Sequence, residues 1–192
     1  MALRSEPDTP ARLIQAATRH FAARGFYGVS IAVIAEDLGI TKQALLHHFG
    51  SKEALYSAVL ARISDRFMDA LGDSRDITGG LERFYDHSVH AQDDMAIILR
   101  ELLDNEHRAQ TARQWFLRPF LERLVDLAQA ARPDLSRAEA LATLYVFLGA
   151  MNYYAVSRPT LRSIFGADEA EAAGRAMPGA LRALVAETFP TA

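Results

Sequence analysis

Cysteine does not occur in the 192-residue sequence. Its absence excludes disulfides, thiolate zinc sites and cysteine nucleophiles, and it suits a reducing cytoplasm. No run approaches the ~18 consecutive apolar residues of a membrane span, and Met1 to Pro10 has no apolar secretion core, so neither a membrane nor export is expected. Fixed-period repeats and low-complexity tracts are missing. So are catalytic signatures: there is no Ser-His-Asp arrangement with supporting context, no phosphate-cradling glycine loop and no His-Glu metal motif. No catalytic residue, metal or cofactor is therefore expected. Period-two alternation of β-branched residues is also lacking, which leaves an all-α reading.

Lysine is nearly absent as well. Lys42 and Lys52 are the only two, and arginine carries the remaining positive charge. The formal net charge is −3, but it is unevenly distributed. Residues 1–52 hold six basic side chains (Arg4, Arg12, Arg19, Arg24, Lys42, Lys52) against four acids (Glu6, Asp8, Glu36, Asp37), whereas residues 53–192 are net acidic. Such asymmetry suggests that one end meets a polyanion. The excess is small, so a single copy would bind weakly and a dimer is expected.

Both lysines fall in residues 30–55, which read as two short helices meeting at a glycine turn, followed by a third helix. A preceding helix runs from Pro10, a good first-turn residue, to Arg24, with Leu13, Ile14, Ala17, Phe21 and Ala22 as its apolar stripe. Ser30, Thr41 and Ser51 are N-cap residues for the next three helices, and Gly25 and Gly39 stop the first two. The second helix buries Val33, Ile34 and Leu38; in the third, Leu45 and Phe49 point inward. Glu53 suits the dipole of the fourth helix, whose stripe Leu55, Val59, Ile63, Phe67 and Leu71 reaches Gly72.

This arrangement is a helix-turn-helix, with Gly39 in the turn and 41–48 as the helix that enters the major groove. Thr41, Lys42 and Gln43 form the first turn of that helix, where side chains reach bases and amides reach phosphate. Gln43 has the geometry for two hydrogen bonds to an adenine edge, and Lys42 for guanine acceptors or a phosphate. Of the adjacent His47 and His48, one is expected to face DNA and the other to cover the core.

The stretch resembles the N-terminal domain of the TetR/AcrR family of transcriptional regulators. Ser30, Ile34-Ala35, Gly39-Ile40, His48-Phe49, Ser51-Lys52-Glu53 and Leu55 stand at the family's positions, and the preceding helix ends Phe21-Ala-Ala-Arg-Gly25-Phe26 as the family's does. The resemblance covers about residues 10–60. It implies a homodimer of helical subunits: 1–52 as the DNA-binding domain, and 53–192 as a helical ligand-binding and dimerisation domain. A small-molecule effector would modulate, usually release, binding to near-palindromic double-stranded operator DNA, with repression the family expectation. The DNA-facing set it implies is Ser30, Thr41, Lys42, Gln43, His47, His48 and Lys52. Two positions depart from the family pattern. Leu46 stands where many members have a phosphate-binding tyrosine, and Ala32 where some have an arginine. These departures keep open a second reading, a helical ligand-binding or interaction module with a weak or vestigial DNA-binding domain.

Beyond residue 72 the pattern predicts helices at 80–91, 93–107, 110–131, 136–157 and 168–188. Pro119 marks a kink or a new helix start, residues 159–165 form a short turn, and the last helix is interrupted near Pro178-Gly179. An aromatic-rich set suggests a ligand pocket between helices: Phe67, Phe84, His87, Leu102, Trp115, Phe116, Phe120, Tyr145, Leu148 and Asn152. Asn152 stands out as an amide on an apolar helix that needs a partner. His87, His90, Asp93 and Asp94 have a spacing that would suit a metal, but ordinary polar residues account for it and no metal is assigned. Residues 136–157 are apolar on most sides, and 168–188 is alanine-rich. A partner surface is therefore expected at Leu141, Leu144, Phe147, Met151, Ala176, Ala180 and Leu184, pairing across a two-fold axis as a four-helix bundle.

Overall fold

A computed structural model of the chain describes residues 10–103 and 115–190. Among these residues are nine helices and no strand, in agreement with the all-α reading: α1 (Pro10–Arg24), α2 (Ile31–Asp37), α3 (Lys42–Phe49), α4 (Lys52–Leu71), α5 (Ile77–His90), α6 (Gln92–Leu103), α7 (Arg118–Ala131), α8 (Arg137–Phe165) and α9 (Ala167–Thr188). The parts of the expected helices 93–107 and 110–131 that fall on 104–114 lie outside the described residues. Two compact units divide the chain, Met1–Ile63 with Ala96–Ala112, and Ser64–Met95 with Arg113–Ala192.

The first unit is built on the α1 stripe. Leu13, Ala17 and Phe21, four residues apart, are almost completely buried, and they are joined by Ile34, Leu45, Leu55, Val59 and Ile63. Apolar residues three and four apart stack on one side of a helix, which is why this spacing yields a core face. The edge of Phe21 meets the Tyr56 ring with centroids 4.8 Å apart. Arg100, from the end of α6, donates to the carbonyls of Ala22 and Ala23 at 3.2 Å each. It thereby covers carbonyls that the end of α1 leaves without helical partners.

In the second unit α5 begins at Ile77, three residues earlier than its apolar pattern suggested. The Asp76 carboxylate accepts from the Gly79 amide at 2.7 Å and starts the helix ahead of the Gly79-Gly80 pair. Gly80 is buried beside Leu127 and Leu71. Pro119 marks a helix start, the second of the two expectations, since it stands in the first turn of α7. A reciprocal cap between Ser136 and Glu139 begins α8.

Two expectations at the carboxy-terminal end need correction. Residues 159–165 are not a turn; α8 runs through Pro159 to Phe165. Nor is α9 interrupted at Pro178-Gly179. An internal proline removes one backbone hydrogen bond and crowds the preceding turn, but the helices on both sides continue in register. The real stop is Gly166 at φ +87°, a conformation that costs any residue with a Cβ.

α8 is long and apolar enough to cross a membrane by length and composition, with mean hydropathy 1.2. Its apolar residues nevertheless fall into two stripes. Ala140, Leu144, Phe147, Met151 and Tyr154 face inward and are buried with Leu181, Val185 and Phe189. Leu141, Tyr145, Val146 and Tyr153 face outward, Tyr153 being 71% exposed. Leu144, Phe147 and Met151 are therefore corrected from partner surface to core: within one chain they have no area left for a partner. Leu141, Ala176, Ala180 and Leu184 remain exposed.

Candidate nucleic-acid interface

Three hydroxyl caps set the geometry of residues 30–55. Ser30 Oγ accepts from the Val33 amide at 3.3 Å, Thr41 Oγ1 from Ala44 at 3.1 Å, and Ser51 Oγ from Ala54 at 3.1 Å. Each satisfies an amide that the first helical turn would leave open. Between α2 and α3 the chain reverses at Gly39, φ +69°, and the Ile40 amide returns to the Ala35 carbonyl at 3.0 Å. The turn is tight because glycine carries no steric penalty in that conformation. Asp37, at the end of α2, is within 3.3 Å of His20 and 3.7 Å of Arg19, which ties it to α1.

α3 is anchored on one side only. Leu45 is fully buried, Leu46 and Phe49 are half-buried, and Thr41, Lys42, Gln43, His47 and His48 are exposed. The expectation that one of the two histidines covers the core is corrected. Leu45 already fills that side of the helix, leaving both rings in solvent with centroids 6.2 Å apart. Val33 and Leu38, expected to be buried in α2, are half-buried.

Lys42 and Lys52 line the same open cleft of about 570 Å³, with Ser30, Tyr27, Val33 and the Gly28 backbone around it. Both lysines of the chain thus converge on one surface, although they belong to different helices. Lys52 Nζ lies 4.5 Å from the centroid of the Phe26 ring. A cation over an aromatic face is held there electrostatically, so the charge stands at a fixed place beside the start of α4. Glu53 is kept below the usual carboxylate range, first by its own backbone amide and then by Ser51. It therefore serves the helix start as a carboxylate. Tyr27, 67% exposed at the cleft rim, is a residue the sequence reading missed. Its signal was available: a large aromatic between Gly25 and Gly28, in a turn with no core to fill. Chemically the cleft offers two ammonium groups and the hydroxyls of Ser30 and Tyr27, and Gln43 adds an exposed amide side chain on α3, donors suited to phosphate oxygens and base edges.

In the second unit, only part of the expected ligand pocket comes together. Phe67, Phe84 and Phe120 form a triangle with centroids 5.0, 5.2 and 4.8 Å apart, and the His87 ring lies 5.5 Å from Phe67. Arg66 grips the buried Asp94 carboxylate through Nε at 2.7 Å and Nη2 at 2.6 Å, with His87 Nε2 at 3.7 Å. Burial alone would raise the Asp94 pKa, but the neighbouring His87 and the hydrogen bonds and charge of Arg66 outweigh it and hold the group below its ordinary value. Asn152 donates to the Met95 carbonyl at 3.4 Å. Among the described residues its Oδ1 and His87 Nε2 are buried without a hydrogen-bond partner. Phe116 and Leu148 are half-buried and Trp115 is half-exposed.

Tyr145 and Leu102 do not join this cluster. Tyr145 projects from the outward side of α8, and Leu102 lies half-exposed on the part of α6 that belongs to the first unit. His87 and His90 are engaged separately, His90 Nδ1 by the Asp86 carbonyl at 2.7 Å. No group of three or more His, Asp or Glu side chains able to hold a metal is found among the described residues.

Comparison with known proteins is most specific at the amino-terminal end. The family described as bacterial regulatory proteins, tetR family, matches residues 13–59. Over 59 residues the chain is 44% identical to the HTH-type transcriptional regulator RutR of Escherichia coli K12, a match covering 31% of this chain and 28% of that protein. Among solved structures, the Streptomyces coelicolor protein SCO4942 superposes with a TM-score of 0.67 at 23% identity, covering 95% of this chain and 99% of that one. AibR, crystallised with isovaleryl coenzyme A and operator DNA, superposes with a TM-score of 0.58 at 23% identity over 76% of this chain and 85% of its own. At such identities these two likenesses concern the fold alone, an N-terminal helix-turn-helix followed by a helical carboxy-terminal region.

Proposed function

We propose that the chain, whose residues 13–59 match the tetR family of bacterial regulatory proteins, is a TetR-family regulator of transcription that acts in the cytoplasm by binding double-stranded operator DNA as a homodimer. The observation that carries this reading is the convergence of both lysines on the cleft beside the exposed first turn of α3. α3 lies in the major groove, Gln43 and Lys42 read base edges, and Lys52, Ser30 and His48 hold phosphates. Thr41 sets the helix start, and His47 takes up the backbone contact that Leu46 cannot make. Pairing through the outward faces of α8 and α9 places two copies of α3 one duplex repeat apart, about 34–36 Å, on a near-palindromic site.

A small-molecule effector bound at the Phe67, Phe84 and Phe120 cluster modulates that binding. Support comes from Asn152 Oδ1, buried beside this cluster without a hydrogen-bond partner among the described residues, since such an atom calls for a hydrogen-bonding group. AibR, which shares the fold, has been crystallised with both a small molecule and operator DNA. The effector acts by preferring one of two states of the protein, which makes repression reversible. Leu46 favours the alternative, a helical ligand-binding module whose DNA-binding domain is weak.

Fluorescence anisotropy on duplex fragments from the region upstream of its own coding sequence separates the two. The proposed function requires saturable, sequence-selective binding that Gln43→Ala relaxes at one base position. Binding that is equally weak on every fragment would leave the ligand-binding module as the better account.

A further inference from the structure

On its inward side, α8 changes character partway along. Leu144, Phe147, Met151 and Tyr154 follow one another at spacings of three and four and are buried. Continued at the same spacing, this face presents Arg158 and Arg162 instead of apolar side chains. Facing them on α9, Ala170 and Gly174 are too small to fill the space. The result is a cleft of about 600 Å³ lined from α5, α8 and α9. That volume lies within the range of small-molecule sites.

The lining combines cationic and aromatic side chains. Arg158, Arg162 and Arg175 border the cleft, and Glu171 is its single acid. Arg158 Nη1 donates to the Val89 carbonyl at 3.0 Å, fixing that guanidinium at the end of α5. Glu171 stands 3.9 Å from Arg162, with both side chains mostly exposed, a pairing too loose to neutralise the site. Arg175 has no ion-pair or hydrogen-bond partner among the described residues. Tyr85 and Tyr154 stack at 6.5 Å, and both are less than a tenth exposed. Neither hydroxyl has a hydrogen-bond partner among the described residues. Burial first, and the neighbouring Tyr154 second, raise the Tyr85 pKa, so its hydroxyl remains a donor at neutral pH. A Cβ at position 174 would stand 2.8 Å from Tyr154 Oη, so glycine there keeps the cleft open around that hydroxyl.

We propose that this cleft is a second ligand site, taking a small organic anion that carries a carboxylate or phosphate on an apolar body. Guanidinium forks and phenolic hydroxyls donate to the anion, and the stacked rings and the α9 small-residue face receive the apolar part. The site is separate from the phenylalanine cluster. It also faces away from the outward stripe of α8: Tyr145 and Tyr154 are nine residues apart, about two and a half turns, and so point to opposite sides. A homodimer paired on that stripe would leave the cleft open.

Isothermal titration of the full chain with phenyl phosphate and with benzoate tests the site and distinguishes the two anion types, with phenol as the neutral control. One equivalent of at least one anion should bind per chain, phenol should not, and the double variant Arg162→Gln/Arg175→Gln should bind roughly tenfold or more weakly. Gly174→Ala keeps every charge and should also weaken binding, by closing the space at Tyr154. Unchanged melting temperatures in these exposed or small-residue variants establish that they are folded. Absence of saturable binding by either anion, phenol binding as well as the anions, or full affinity in the double variant would each overturn the proposal. The operator and effector proposals would stand in any of these cases.

Discussion

α3 and α8 are held in place by different means. α3 has eight residues and one fully buried side chain, Leu45; its position depends on the Thr41 cap, the Gly39 turn and the helices beneath it. α8 has 29 residues and a continuous buried stripe from Ala140 to Tyr154, so packing holds it and local signals matter less. Short isolated helices are marginal in water, so α2 and α3 depend on their Ser30 and Thr41 caps more than α8 depends on the one at Ser136. A long helix tolerates even an internal proline, as Pro159 demonstrates. The difference teaches where each region is vulnerable: α3 at its ends, α8 along its inner face.

The largest expected effect lies on that inner face. Phe147→Ala should cost about 3–5 kcal/mol in denaturant unfolding, because a buried ring is lost and its space is only partly refilled. Tyr145→Ser, two residues away on the outward stripe, should change the stability of a single chain by no more than about 0.5 kcal/mol. It should instead shift the proposed homodimer towards monomers in sedimentation. If the two variants gave equal losses of unfolding free energy, the division of α8 into core and partner faces would fail.

The Arg66–Asp94–His87 network gives the next effect, read as a function of pH. The Asp94 carboxyl is held below its ordinary range in the folded chain. Its contribution is therefore complete above the pKa of the unfolded chain and is lost as pH falls through the lower, folded value. Asp94→Asn should be less stable at neutral pH and should lose less on acidification than the parent. Parallel acid-unfolding curves would remove Asp94 from the explanation. A smaller effect belongs to α3. Thr41→Ala should cost about 1 kcal/mol, the usual value of an N-cap, and amide exchange in residues 42–45 should accelerate while α8 remains protected.

The caps at Ser30, Thr41 and Ser51 and the turn at Gly39 were legible in the sequence because each acts over three or four residues. So was the stripe of α1, and so was the triangle of Phe67, Phe84 and Phe120 as an apolar set. What could not be read was which side of a helix apolar all round meets its own chain. Leu144, Phe147 and Met151 carry the same kind of side chain as Leu141 and Tyr145, and only the packing of α8 against α5, α7 and α9 separates them. Pro159 and Pro178 misled for a related reason, since a local breaking signal was outweighed by contacts along the rest of the helix. Arg158 and Arg162 carried a readable signal, charge where the core stripe should continue, but it had no meaning until α9 supplied Ala170 and Gly174 opposite.

The central claim is that Lys42 and Lys52 act together on a phosphate backbone. The most direct test is the salt dependence of binding to upstream duplex DNA for the parent chain and for Lys42→Ala/Lys52→Ala. The account predicts weaker binding by the double variant on every sequence and a shallower slope of log affinity against log salt, by roughly 0.9 for each phosphate contact removed. An unchanged affinity and an unchanged slope would contradict it.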